Sequence, residues 1–138
     1  MIYLPDTNAF SAYLAGRSPA LAQRMNEAVA AGEVRLSFMV LAELQFGAEK
    51  ARRELGHTRF VKKVESLRDL LDVESLGEAA APVYARVRCQ LEGAGIKIGD
   101  RDTLIAAHAL ALGAVLVTRN VREFSRVDGL VVENWQTE

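Results

Sequence analysis

In 138 residues the chain has one cysteine, two histidines, three prolines and a single tryptophan, and its charges nearly cancel. Each shortage removes a class of function. Cys89, alone in the amphipathic stretch "VYARVRCQLE", can form no intrachain disulfide and no cysteine-ligated structural zinc site, which fits a reducing, cytoplasmic setting. A metal-free nuclease needs a general acid and base, usually histidines. Here His57 falls in the polar connector "GHTR", and His108 falls in "AAHALA", where a packed helix residue is expected. With 17 Lys and Arg against 18 Asp and Glu, any nucleic-acid contact must come from a local basic patch, which argues against histone-like binding. No apolar run approaches the length of a membrane span, and the first residues lack the pattern of a secretory leader. The expectation is a protein that is not exported and makes no membrane contact.

What is present is ordinary for one domain covering residues 1–138: half the residues are hydrophobic and a quarter are charged. Short apolar runs alternate with longer helical patterns, the signature of an α/β fold with a parallel sheet. The runs are "IYL" (2–4), "EVRLS" (33–37), "DVES" (72–75), "AVLVT" (114–118) and "LVVENW" (130–135). Between them, Ser18 and Pro19 form a good helix start, closed by Gly32. The stretch 77–94 reads as a helix, but Pro82 places its start between Glu78 and Pro82, or a bend there. "DRDTLIAAHALALG" reads as an apolar helix with an acidic first turn, stopped by Gly113.

In open parallel sheets, ligands bind beyond the carboxyl ends of the strands. That edge receives Asp6 and Asn8 after the first strand, and Thr118, Arg119 and Asn120 after the fourth. Asp100 and Asp102 open the helix before the fourth strand and can reach the same edge, or serve that helix as caps; Asp100 sits where an N-cap belongs. Glu43, in "SFMVLAELQFGAEKA", has Met39, Val40, Phe46 and Gly47 on its helix face. A carboxylate in an apolar stripe carries a desolvation penalty unless it has a partner, or lies at the margin and reaches water. If Asp6, Glu43 and Asp102 converge, two carboxylates ~4 Å apart repel by about 4 kcal/mol at an effective dielectric near 20. A divalent cation relieves that repulsion, and an oxygen-only ligand set suits magnesium or manganese and not zinc, pointing to phosphodiester chemistry.

The segments "YLPDTNAFSAYL", "SFMVLAELQFGAEKA", "IGDRDTLIAAHALALGAVLVTRNVREFSRV" and "LVVENW" follow one another across nearly the whole chain. Together they resemble the PIN-domain ribonucleases, and within them the VapC toxins of bacterial toxin–antitoxin pairs. The resemblance implies a parallel sheet between helical layers, an α/β/α sandwich. It also implies a Mg²⁺-dependent endoribonuclease, with Mn²⁺ able to substitute, that cuts RNA such as transfer or ribosomal RNA. On that resemblance Asp6, Glu43 and Asp102 are the metal ligands, Asn120 assists through a bound water, and Thr7 and Asn8 brace Asp6 and the site around it, with Thr118 as further support. It further implies a homodimer held inactive by a VapB-like antitoxin seated on an apolar face, for which Phe10 to Leu14 and the helix of Leu41 and Leu44 are the candidates. Arg101 and Arg119 are candidates for phosphate contacts, ahead of the basic stretch Lys50 to Lys63, expected between two helices and readable as a solvated face.

Three positions depart from the family pattern. Pro5 replaces a hydrophobic strand residue and should end the strand or alter its pairing. Val40 stands where threonine is frequent, and Asn120 where an acid is frequent. Two alternatives remain. One is a PIN-like module that binds RNA or protein without cutting. The other is a haloacid-dehalogenase-like phosphatase, whose second aspartate is replaced here by Asn8.

Overall fold

The computed structural model describes residues 1–136 as five short parallel strands and seven helices. The strands are β1 (Tyr3–Pro5), β2 (Arg35–Ser37), β3 (Asp72–Glu74), β4 (Val115–Val117) and β5 (Val132–Glu133). One ladder runs β1-β4-β5 and the other β2-β3, and a parallel bridge from Tyr3 to Val34 joins them. All five segments predicted from the sequence contain strands, the first shifted by one residue and the other four trimmed by one to four.

Pro5 explains why the two ladders meet at only one point. Alternate residues of a strand send their N–H groups to the same side. Tyr3 donates to Glu33 O at 2.7 Å on the β2 side, whereas Asp6 donates to Val117 O at 2.9 Å on the β4 side. The next group due to face β2 is that of Pro5, which has no N–H, and pairing on that side stops. Pro5 is the last residue of β1, as the sequence predicts.

The helices are α1 (Thr7–Ala15), α2 (Pro19–Ala30), α3 (Phe38–Leu55), α4 (Arg59–Leu70), α5 (Ala80–Gly93), α6 (Asp100–Leu112) and α7 (Val121–Phe124). Ser18 Oγ accepts the Leu21 N–H at 3.2 Å, closing the first turn of α2 as expected. Pro82 is the third residue of α5, within the first turn where its missing N–H leaves no intrahelical bond undone. Two readings need correction. The N-cap of α6 is Gly99 and not Asp100. The basic stretch 50–63 is not a connector: α3 runs through Leu55 and α4 begins at Arg59, so its charges lie on two helices around a three-residue corner.

One hydrophobic core runs under the sheet, with Leu4, Phe10, Leu21, Met25, Leu36, Val40 and Leu116 fully enclosed. Each such side chain contributes about 1.5–3 kcal/mol relative to its exposed state. Phe10, Leu41 and Leu44 belong to this core, so they cannot form the open apolar face suggested for them. The exposed large apolar side chains of α3 are instead Phe38 and Phe46, eight residues apart, and Leu55 at its end. His108 is buried in α6 with Nδ1 3.1 Å from Ser37 Oγ, the packed residue its sequence context predicts. No helix of the described residues is long and apolar enough to cross a membrane.

Candidate active site

Asp6 leaves β1 and begins α1 at once. Its backbone ends the pairing with β4, and its side chain is the N-cap of α1, Oδ1 accepting the Ala9 N–H at 2.8 Å. Thr118, one residue past β4, donates its hydroxyl to Asp6 Oδ2 at 2.6 Å and accepts the Asn120 N–H at 3.0 Å. The first turn of α1 therefore holds one oxygen of this buried carboxylate and the end of β4 the other, and the register Pro5 to Val117 sets the approach of Thr118.

Glu43 comes from the second turn of α3. Thr7 donates to its Oε1 at 3.0 Å, and Arg101 donates to its Oε2 at 3.2 Å. Thr7 thus supports the site around Asp6 through Glu43, Asn8 accepts Gln136 Nε2 at 3.3 Å, and the direct hydrogen bonds to Asp6 come from Thr118 and Ala9. Asp102 enters from the first turn of α6. Asp6, Thr7, Asn8, Glu43, Asp102, Arg119 and Asn120 line one open cleft of about 510 Å³, floored by Ile105 and Phe124. Asp100 is absent from that wall and lines a separate hollow between α5 and the loop before α6.

The carboxylates of the cleft are poorly compensated. Burial pushes Asp6 up from its ordinary value, opposed by the Thr118 and Ala9 hydrogen bonds, with the Glu43 charge adding to the rise. Asp102 is pushed up to about 6, first by burial, then by the facing carboxyl of Glu123, then by the charges of Asp6 and Glu43. Glu123 is the residue that sequence reasoning missed. It lies half-buried on the single turn of α7 and takes Asn120 Nδ2 on its Oε2 at 2.5 Å. The spacing of Asn120 and Glu123, three residues apart as in a capping box, was the available signal.

Among the described residues, no three acidic, histidine or cysteine side chains are gathered tightly enough to chelate an ion as they stand. Asp6 and Glu43 are each held by partners of their own instead. The donor set nevertheless fits a hard divalent cation: it is oxygen only, it carries surplus negative charge, and two of its carboxyls sit above their ordinary values for want of a compensating charge.

Residues 3–130 match the PIN domain family. The chain belongs to that family. This PIN domain is 35% identical over 136 residues to Ribonuclease VapC2 of Rickettsia felis, with 98% of each chain covered. It is 32% identical over 133 residues to the tRNA(fMet)-specific endonuclease VapC of Shigella flexneri, covering 96% of this chain and 97% of that one. Among solved structures, it superposes on VapBC2 from Rickettsia felis bound to a promoter DNA fragment with a TM-score of 0.88 at 31% identity, over 98% of this chain and 99% of that one. DNA-bound VapBC from Salmonella typhimurium gives a TM-score of 0.87 at 30% identity, over 98% of each chain. A PIN domain of the VapC type accounts for the parallel sheet, the order of its motifs and the acidic cleft at the carboxyl edge.

Proposed function

We propose that this PIN domain is a metal-dependent endoribonuclease toxin that hydrolyses phosphodiester bonds in RNA, with Asp6, Glu43 and Asp102 holding Mg²⁺ or Mn²⁺. The observation that carries the reading is the convergence of those acids in one cleft of a chain similar along nearly its whole length to VapC ribonucleases. Glu123 joins them as a fourth carboxyl, taking the part first assigned to Asn120, whose amide is committed to it. A bound divalent ion lowers the pKa of its water and stabilises charge on phosphate oxygens. The protein's own part is to hold Asp6 rigid between the first turn of α1 and Thr118 after β4, to hold Glu43 through Thr7, and to keep Asp102 and Glu123 close enough that their repulsion favours cation uptake. Arg101 neutralises Glu43 in the free protein and is mostly exposed, so it is free to move to a phosphate oxygen.

A VapB-type antitoxin is the proposed partner, since the chain superposes on toxins solved in VapBC complexes. The exposed Phe38 and Phe46 on the helix that carries Glu43 offer it an apolar contact beside the cleft. Transfer RNA is the first substrate to try, given the similarity to an endonuclease of that specificity.

The test is incubation of the purified, antitoxin-free protein with transfer RNA and then total RNA under Mg²⁺, Mn²⁺ or EDTA, beside Asp6→Asn and Glu43→Gln. Discrete cleavage that needs metal and disappears in both variants is expected. Cleavage that survives EDTA, or is unchanged in the variants, overturns the mechanism. Metal binding without cleavage of any RNA would make the domain a binding module.

A further inference from the structure

A second, smaller hollow adjoins the acidic cleft. It has a volume of about 180 Å³ and is lined by Asn8, Ala12, Arg17, Ser18, Arg119 and Gln136. Asn8 and Arg119 line both cavities, so the two are neighbours that share a wall. The second one reverses the chemistry of the first: among the described residues its lining has two guanidinium groups and no carboxylate. Some arginines elsewhere are neutralised by neighbouring acids: Arg52 and Arg53 on Glu49, Arg88 on Glu92, Arg35 on Glu74. Arg17 and Arg119 form no ion pair among the described residues, and both are exposed.

The backbone holds them in place. Gly16, at φ 66°, ends α1 in the left-handed conformation that glycine adopts most easily, and the Arg17 N–H returns to Ala12 O at 3.1 Å. Arg17 thereby stands just ahead of Ser18 and Pro19, where the twelve-residue α2 begins and its dipole adds positive potential. Arg119 follows Thr118, the residue that fixes Asp6. Asn8, whose Oδ1 takes the Gln136 amide, forms the wall between the two cavities.

We propose that this hollow binds a backbone phosphate of the RNA next to the phosphate that is cut, with Arg17 and Arg119 as its donors. The assignment rests on the endoribonuclease reading above. An acidic cleft repels the polyanion it must admit, and a chain of net charge -1 supplies no general attraction. A pair of free guanidiniums sharing a wall with the acids supplies it locally, and guanidinium matches phosphate with paired donors.

The experiment measures binding of fluorescently labelled transfer RNA in EDTA, where metal-dependent cleavage is off, across a series of KCl concentrations, for wild type, Arg17→Gln, Arg119→Gln and Arg17→Lys. Each Gln variant should weaken binding at low salt and make the slope of log affinity against log salt shallower by about 0.7–0.9, the loss of one phosphate contact. Arg17→Lys keeps the charge and should keep most of the slope. An unchanged slope in Arg17→Gln overturns the proposal while leaving the nuclease reading intact, because Mg²⁺-dependent cleavage by the wild type tests that reading separately. Loss of an acidic antitoxin peptide with RNA binding untouched also overturns it, assigning the hollow to a protein partner. Wild-type protein that neither binds nor cuts RNA overturns both.

Discussion

Glu49 and Asp102 respond to their surroundings in opposite senses. Glu49 stands in solvent on α3 between Arg52 and Arg53, at 2.8 and 2.9 Å, and their hydrogen bonds hold its carboxyl down to about 2. Asp102, half-buried in the cleft, faces Glu123, Asp6 and Glu43 and is pushed up to about 6. The corner of α3 and α4 is much the more charged of the two in sequence, yet its Glu49 is spent on two of its own arginines. The cleft has fewer ions and leaves them wanting a cation. Density of charge along the chain therefore says little about where charge is available for chemistry.

The contrast can be broken most severely at Asp6. Asp6→Asn keeps an acceptor for the Ala9 N–H and removes the charge, so the fold should persist while metal-dependent cleavage falls by at least about a hundredfold, read as initial rates on transfer RNA. The next largest effect concerns pH. Because the folded protein raises Asp102 above its ordinary 3.8 to about 6, the folded state binds that proton more tightly than the unfolded chain. The metal-free protein should lose stability as pH rises through that window, and the deficit persists above it. Added Mn²⁺ should then raise Tm strongly at about pH 7.5 and little at about pH 5, where protons already occupy the site. Thermal unfolding with and without Mn²⁺ at the two pH values checks it, and Glu123→Gln should flatten the difference.

Thr118→Val leaves Asp6 Oδ2 and the Asn120 N–H without their shared hydroxyl and should cost about 1–3 kcal/mol in urea unfolding. Arg101→Gln frees Glu43 from an ion pair whose arginine is largely exposed. Mn²⁺ affinity by calorimetry should tighten by up to about fivefold, the scale of a surface pair near 1 kcal/mol. At the bottom of the scale, Glu49→Gln should change neither cleavage nor Tm measurably, for all that its carboxyl is so strongly displaced. A large effect there would dissolve the distinction between the two regions.

The sheet was legible because strands enclosed on both sides read as short β-branched runs between turn residues, and Leu4, Leu36 and Leu116 are indeed fully buried. Asp6, Glu43 and Asp102 could be placed near one edge because the carboxyl ends of parallel strands share an edge by topology. What failed was local partnership. Thr7 looks as though it should serve its neighbour Asp6, but α1 begins between them and carries its hydroxyl toward α3. Glu123 escaped notice because α7 is a single turn, too short for a periodic pattern to show. The stripe around Glu43 was over-read as well: Phe46 is 67% exposed, so apolar neighbours in sequence did not mean an apolar environment.

Asp6 serves two masters, since the carboxylate offered to the cleft also starts α1. That limits how a cell can escape such a toxin by mutation at this position. Replacement by leucine or valine would disarm the protein but leave a helix without its cap, lowering stability by about 0.5–2 kcal/mol and inviting proteolysis. Asparagine, serine or threonine would disarm it and still accept the Ala9 N–H. Under selection against toxicity, the folded survivors should carry one of those three residues at position 6, and they would remain able to sequester an antitoxin they no longer need.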